Sequence, residues 1–157
     1  MPSSESALDA SRITLSELRE ISRVDIRKFA AAIGATDQAH YSVRTAHERG
    51  YPDLLAPAYF FISLGLSLGR IGPRSQFGPA GLPNDDPLAS RRVVAGEVHV
   101  EWFGDLFAGD EVLVEQTLTG TSSKVGRSGA FDTYTYERRY ARQGAIVVRE
   151  VFTRIAR

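Results

Sequence analysis

The 157-residue chain contains no cysteine, so disulfides, thiolate nucleophiles and cysteine-held metals are excluded. It has no surplus of either charge: nineteen Lys and Arg face nineteen Asp and Glu. Net charge therefore gives no reason to expect nucleic acid as a partner. Lysine is nearly absent, with only Lys28 and Lys124. The longest apolar run, Pro57 to Leu68, is too short to cross a bilayer, so no membrane association is expected. No phosphate-cradling P-loop, no Gly-x-Gly-x-x-Gly after a strand and no Gly-x-Ser-x-Gly elbow occurs. The histidines His40, His47 and His99 fall in three separate segments and make no spaced ligand set for a metal. Residues Met1 to Ala10 are polar and acidic, without the basic-then-apolar order of a secretory leader, and a cytoplasmic location is the expectation.

What is there suits one globular domain: 43% apolar residues, 24% charged, and length enough for a core of its own. Residues 1–11 read as a loose segment, and 12–157 as a single domain. A short extended piece is expected within Ile13 to Ile21. Ser22 and Asp25 form an N-cap with an acid three residues on, and Val24, Ile26, Phe29, Ala30 and Ile33 recur at helical spacing. A helix over 23–33 ending at Gly34 follows. After a polar loop, Ala35 to Ser42, a short helix runs from Val43 to Arg49 and stops at Gly50. Pro57 then opens a run that is apolar on nearly every face, which predicts a buried central helix over 57–69.

From Arg70 to Ser90 regular pattern is lost, and a long loop is expected, with Phe77 and Leu82 tacking it down. Beyond it the period changes to two. Val94, Gly96, Val98, Val100 and Trp102 form one alternating set, with Glu97, His99 and Glu101 opposite. Further strands are expected over Glu111 to about Thr121, through the aromatic stretch Phe131, Tyr134, Tyr136 and Tyr140, and over Ala145 to Ile155. Lys124 to Gly129 reads as a connection or bulge, and Arg142-Gln143-Gly144 as a hairpin turn. Short turns between successive strands make them antiparallel. The expectation is an α+β fold in which a curved antiparallel sheet embraces one buried helix.

Chemistry has few places to sit. Asp37 and His40 lie three apart in the loop between helices, and imidazole is the side chain that exchanges a proton near neutral pH. The same pair also reads as ordinary loop residues, with Asp37 capping a local turn. Lys124, Arg127, Arg138 and Arg139 are candidate phosphate contacts, or simply an exposed charged strand surface. Arg138 and Arg139 point to opposite faces.

Phe29-Ala30-Ala31-Ala32-Ile33-Gly34 through His40-Tyr41-Ser42, and Gly50-Tyr51-Pro52-Asp53-Leu54-Leu55-Ala56-Pro57, resemble the N-terminal part of the MaoC-like hot dog hydratases, in the FAS1-like dehydratase branch that includes small subunits of (3R)-hydroxyacyl-ACP dehydratases. Ala95 to Val100, Phe107-Ala108-Gly109-Asp110 and Gly126 to Gly129 resemble that branch's later strands and turns. The likeness covers roughly residues 12–157. It implies a hot dog fold and pairing with a second hot dog unit, as a homodimer or heterodimer. It also implies reversible addition of water to an enoyl thioester of coenzyme A or acyl carrier protein, giving a 3-hydroxyacyl thioester. No cofactor beyond that thioester is called for. On the catalytic pattern His40 falls on the histidine position, but Ala35 falls on the acid and Asp37 on an asparagine. The resemblance thus leaves two expectations. In one the chain is a hydro-lyase with His40 as acid–base group, Asp37 as substitute carboxylate, and the N–H groups of Ala58 or Tyr59 polarising the thioester carbonyl. In the other it is a non-catalytic subunit that shapes the acyl tunnel for a catalytic partner, or serves another thioester-binding role. Tyr41, Tyr59, Phe60, Ile62 and parts of the 70–90 loop would line the tunnel. Arg127 or Lys124 would meet the phosphates of coenzyme A.

Overall fold

The five strands of the described chain form one antiparallel sheet whose order brings the first and second strands to opposite edges. The computed structural model describes residues 14–66, 68, 88 and 90–157. The expected loose segment and nearly all of the expected 70–90 loop, Phe77 and Leu82 included, lie outside these. Strand β1 (Thr14–Glu20) is followed by helix α1 (Arg23–Ala32), a 3-10 turn (Gln38–His40), α2 (Val43–Glu48) and α3 (Phe61–Leu66). Then come β2 (Val93–Trp102), β3 (Glu111–Gly126), β4 (Gly129–Arg142) and β5 (Ala145–Ala156), in spatial order β1-β3-β4-β5-β2. Among the described residues no helix is long and apolar enough to cross a membrane.

Local chemistry explains the boundaries. The Ser22 hydroxyl accepts from the Asp25 N–H at 3.0 Å and so caps α1, and Gly34, at φ 68, takes the left-handed position after it. Ile26 and Ala30 are the buried stripe of α1, while Val24 and Ile33, expected to share it, are more than half exposed. Ser42 caps α2 in the same way, accepting from Thr45 N–H at 3.2 Å. The turn between β4 and β5 uses two residues with positive φ, Gln143 and Gly144, the pairing a two-residue hairpin requires. The expected connection at 124–129 is instead strand almost to its middle. β3 stays paired with β4 through Gly126 opposite Gly129, leaving only Arg127 and Ser128 to turn the chain.

The central helix is shorter than the apolar run predicts. Helical structure covers Phe61–Leu66, and residues 67 and 69 fall outside the described set. Pro57 to Phe60 form a turn, because the amide bonds there run at three-residue spacing: Phe60 N–H to Pro57 at 2.8 Å and Ile62 N–H to Tyr59 at 3.1 Å. The Ala58 carbonyl is taken by the Trp102 indole N–H at 2.9 Å. Phe61 and Leu64 carry the short helix into the main core with Ile21, Ile26, Leu54, Val112, Val114, Tyr140 and Val148. Gly65 lets it settle onto Tyr140 and Arg138 of the sheet.

β2 also departs from simple alternation. Its pairing with β5 gains one residue between Ala95 and Val98, a bulge that reverses which side chains face inward. Val93 and Ala95 lie opposite Ala156 and Arg154 before it, and Val98, Val100 and Trp102 opposite Phe152, Glu150 and Val148 after it. Val94, expected on the same face as Val98, is therefore on the other one. His99 is exposed as expected, on the outer face.

Candidate functional site

The loop after α1 is held by its own polar side chains. Asp37 caps the 3-10 turn, its Oδ1 accepting from Ala39 N–H at 2.9 Å and from Arg49 Nη1 at 2.6 Å. The Ala39 amide first, and then Arg49, hold its carboxyl below the usual carboxylate range. The Tyr41 hydroxyl donates to the Ala35 carbonyl at 2.7 Å, closing the loop on itself, and Arg27 donates to the Tyr41 carbonyl at 3.0 Å. Tyr41 is thus a structural brace of the loop.

His40 is buried at the end of the 3-10 turn. Its Nδ1 lies 2.7 Å from the Leu55 carbonyl. A carbonyl only accepts, so Nδ1 carries the proton, and in the neutral ring Nε2 presents a lone pair. Leu55 is in turn fixed: its N–H donates to the Ala39 carbonyl at 3.1 Å, and it bridges to Phe107. Ala56 N–H donates to the Leu106 carbonyl at 2.8 Å. The 105–110 turn behind it is stapled by Asp110, whose Oδ2 accepts from Phe107 N–H and from Arg142 Nη1, each at 2.8 Å. The imidazole is oriented by a rigid backbone rather than by a carboxylate.

The His40 N–H donates to the Asp37 carbonyl at 3.1 Å within the turn, but no hydrogen bond joins the two side chains. Their relation is a weak through-space one, the last of the influences that lower the Asp37 carboxyl. Ala58 and Tyr59, exposed just before α3, have N–H groups that meet no acceptor among the described residues. Ala58 is three residues on from Leu55, so its amide is within about 11 Å of the carbonyl that anchors His40. Tyr59 is half exposed and its ring meets Trp102 edge-on at 5.1 Å. Ile62 is half-buried at the edge of the main core, whereas Phe60 is wholly inside it, against Phe29. Phe60 also borders a hollow of about 480 Å³ together with Phe29, Ser63 and Leu64. A hollow of about 260 Å³ lies beside this segment, lined by Ala56, Pro57, Ala58, Trp102 and Val148.

Lys124 and Arg127 are not brought to His40. Lys124 is near the tip of the β3–β4 hairpin, thirteen residues along β3 from Glu111, and Arg127 is in the turn. At 3.3 Å per residue that is on the order of 40 Å of strand from the Phe107–Leu55 end. Within one chain these cations and His40 occupy opposite ends of the sheet.

The reading of Arg138 as surface charge needs correction. Arg138 is 4% exposed and lies on the inner face of the sheet with Gln116 and Glu150, its cross-strand partners. Its Nε donates to Gln116 at 3.1 Å, its Nη1 to Glu150 Oε2 at 3.1 Å, and its guanidinium sits 4.6 Å over the Phe152 ring. Tyr140 donates to the same Glu150 oxygen at 3.0 Å, and burial pushes its phenol far above its ordinary range. The signal was present in the alternation: Tyr136, Arg138 and Tyr140 share one face of β4, and Val148, Glu150 and Phe152 one face of β5. Arg139, by contrast, is exposed and pairs with Glu137.

Comparisons with known proteins agree with the fold. Residues 13–150 match the family described as FAS1-like, dehydratase domain region. A UPF0336 protein of Parafrankia sp. is 33% identical over 75% of this chain and 72% of its own, and one of Streptomyces coelicolor 31% identical over 68% and 66%. Among solved structures, the truncated HadBC (3R-hydroxyacyl-ACP dehydratase) complex of Mycobacterium tuberculosis superposes with a TM-score of 0.69 at 17% identity, over 91% of this chain and 94% of that one. The ChsH1-ChsH2 complex of the same organism gives 0.66 at 16%, over 89% and 85%. R-hydratase PhaJ1 of Pseudomonas aeruginosa gives 0.66 at 16%, over 92% and 79%.

Proposed function

The chain belongs to the FAS1-like dehydratase domain family, of MaoC-like hot dog hydratases and dehydratases, and from that premise we propose that it is the acyl-thioester-binding unit of a paired enoyl-thioester hydratase or 3-hydroxyacyl-thioester dehydratase. A second hot dog chain supplies the carboxylate–histidine pair. One observation carries this reading. The position where the family pattern puts the acid is Ala35, and the nearest carboxylate, Asp37, is committed to Arg49 and the Ala39 amide. Hydration needs a base to take a proton from water and an acid to protonate the carbon next to the carbonyl. One imidazole does not fill both roles at once. The amides at Ala58 and Tyr59, which meet no acceptor among the described residues, suit a thioester oxygen, whose developing charge two donors would stabilise. The edge strand β2 is the natural seat for the partner. It has no neighbour on its outer side among the described residues, and Val94, Val98 and Phe103 on and beside it are more than half exposed.

A specific observation favours a second reading, in which the chain hydrates on its own. His40 is buried and oriented, with Nε2 free to exchange a proton, and Asp37 is in the same loop. One experiment separates the two. The chain is assayed for hydration of crotonyl- to dodecenoyl-CoA alone and after co-expression with a hot dog chain that carries the full acid–histidine pattern. The first reading expects no turnover alone, turnover in the complex, and a change within about twofold for His40→Ala in that complex. Turnover by the chain alone that His40→Ala abolishes would overturn it in favour of the second.

A further inference from the structure

The inner face of β5 carries a second feature that hydration does not use. Val148 lines the hollow beside Ala56 and Pro57. Two residues further along the same face is Glu150, and two beyond that Phe152, each step about 7 Å. There a larger cavity, about 480 Å³, opens at the far end of α3. Its walls are mostly apolar, with Leu66, Val93, Ala95, Val98 and Phe152, and Thr153 and Arg154 stand beside them. Its floor is the Arg138–Glu150 pair.

The hydrogen bonds of that pair are unevenly filled. Arg138 is well satisfied, by Gln116 through Nε and by Glu150 through Nη1. On Glu150, Oε2 accepts from both Arg138 and Tyr140. Oε1 accepts from no described residue, although the Glu150 side chain is only 10% exposed. Oε1 keeps access to solvent through the cavity, and an alkyl chain filling the cavity would strip its water without supplying a donor in return. A hydroxyl would supply it.

We infer that Glu150, held by Arg138 and Tyr140, is a specificity-determining end-stop, and that the cavity takes acyl groups bearing a hydroxyl toward their far end in preference to plain alkyl chains. This rests on the reading of the chain as a thioester-binding unit. Gly65 belongs to the same device, since only a residue without a side chain lets α3 lie against Tyr140 and Arg138.

The test titrates saturated acyl-CoAs of six to twelve carbons, and their terminally hydroxylated counterparts, into the full-length chain and into its complex with the partner, by calorimetry. At the length where the hydroxyl reaches Glu150, the hydroxylated ligand is expected to bind about tenfold more tightly, as for a hydrogen bond to a charged group. The preference is expected to disappear in Arg138→Met/Glu150→Leu, a swap of a buried pair for apolar groups of similar size that folds often tolerate. If that double variant does not fold, Glu150→Gln takes its place and is expected to shrink the preference. Acyl-CoAs that bind with no hydroxyl preference at any length overturn the inference and leave the thioester reading standing. Failure of every acyl-CoA to bind, with or without the partner, defeats the thioester reading and this inference with it.

Discussion

Gly65→Ala is the substitution on which helix propensity and packing disagree most sharply. In an exposed helix Ala is favoured over Gly by about 1 kcal/mol. Gly65, however, is buried in α3, and a Cβ built there meets the Tyr140 hydroxyl and Arg138 Nη1, both closer than 3.0 Å, with Arg138 Cδ at 3.0 Å. Neither contact is the loose end of a surface chain. Tyr140 is bonded to Glu150, and Arg138 to Glu150 and Gln116, so moving either breaks a bond inside the core. Overpacking of this kind costs about 1–3 kcal/mol, and a weakened hydrogen bond to a charged group about 1.5–3 more. Less the propensity gain, the expected loss is about 1.5–5 kcal/mol, or roughly 3–20 °C in melting temperature for a chain of this size. Thermal and urea unfolding followed by circular dichroism read it directly. The Tyr140→Phe background removes one of the two clashing atoms, so Gly65→Ala should cost at least about 1 kcal/mol less there than in the wild type. A Gly65→Ala protein as stable as the wild type, or more so, would show that α3 does not rest on this polar cluster.

Other expectations follow from the site and its supports. Asp37 and Asp53 are both held below the usual carboxylate range, Asp37 by the Ala39 amide and then Arg49, Asp53 by hydrogen bonds from Arg23. A depressed folded pKa means their contribution is complete above the ordinary range near pH 4 and is lost as pH falls through the depressed values. Protection of the Ala39 amide from exchange should therefore weaken only in acid, and Asp37→Ala should weaken it at neutral pH; equal protection in both proteins at pH 7 would contradict the cap. Trp102 is the sole tryptophan, and its N–H holds the Ala58 carbonyl, so acyl-CoA binding near Ala58 should change its emission, and Trp102→Phe should cost about 0.5–1.5 kcal/mol of stability. Asp110→Ala frees both the Phe107 amide and Arg142, and a loss of about 1–3 kcal/mol is expected in denaturant melts.

The parts of the fold set by local chemistry were readable from sequence. Ser22 and Asp25 mark the start of α1, Gly34 its end, and Gln143-Gly144 the last hairpin, because each acts through its immediate neighbours. The length of the central helix was not readable in that way. An apolar run says that Pro57 to Leu68 is buried, but the bonding pattern at its start depends on Trp102, more than forty residues away, which takes the Ala58 carbonyl. The bulge in β2 was hidden for a similar reason. Val94 and Val98 have the same parity in sequence, and only the register against β5 reveals that an extra residue separates them.

The site divides along the same line. That Asp37 would act as a turn cap was one of the two readings its spacing allowed, and the structure gives that cap; its ion pair with Arg49 needed the fold, since α2 has to turn back over the loop before the two can meet. His40 was visible as a lone titratable group, but the Leu55 carbonyl that fixes its tautomer is fifteen residues on. Arg138 is the more instructive miss. Doubled arginine in a strand suggests a wet surface, yet strict alternation already put one of the two among Tyr136 and Tyr140. A buried arginine requires an acceptor, and the same alternation on β5 offers Glu150 between Val148 and Phe152. Two charges at inward positions on adjacent strands are costly unless they meet, so the pairing of β4 with β5 in the register that joins them follows from charge as well as from the hairpin.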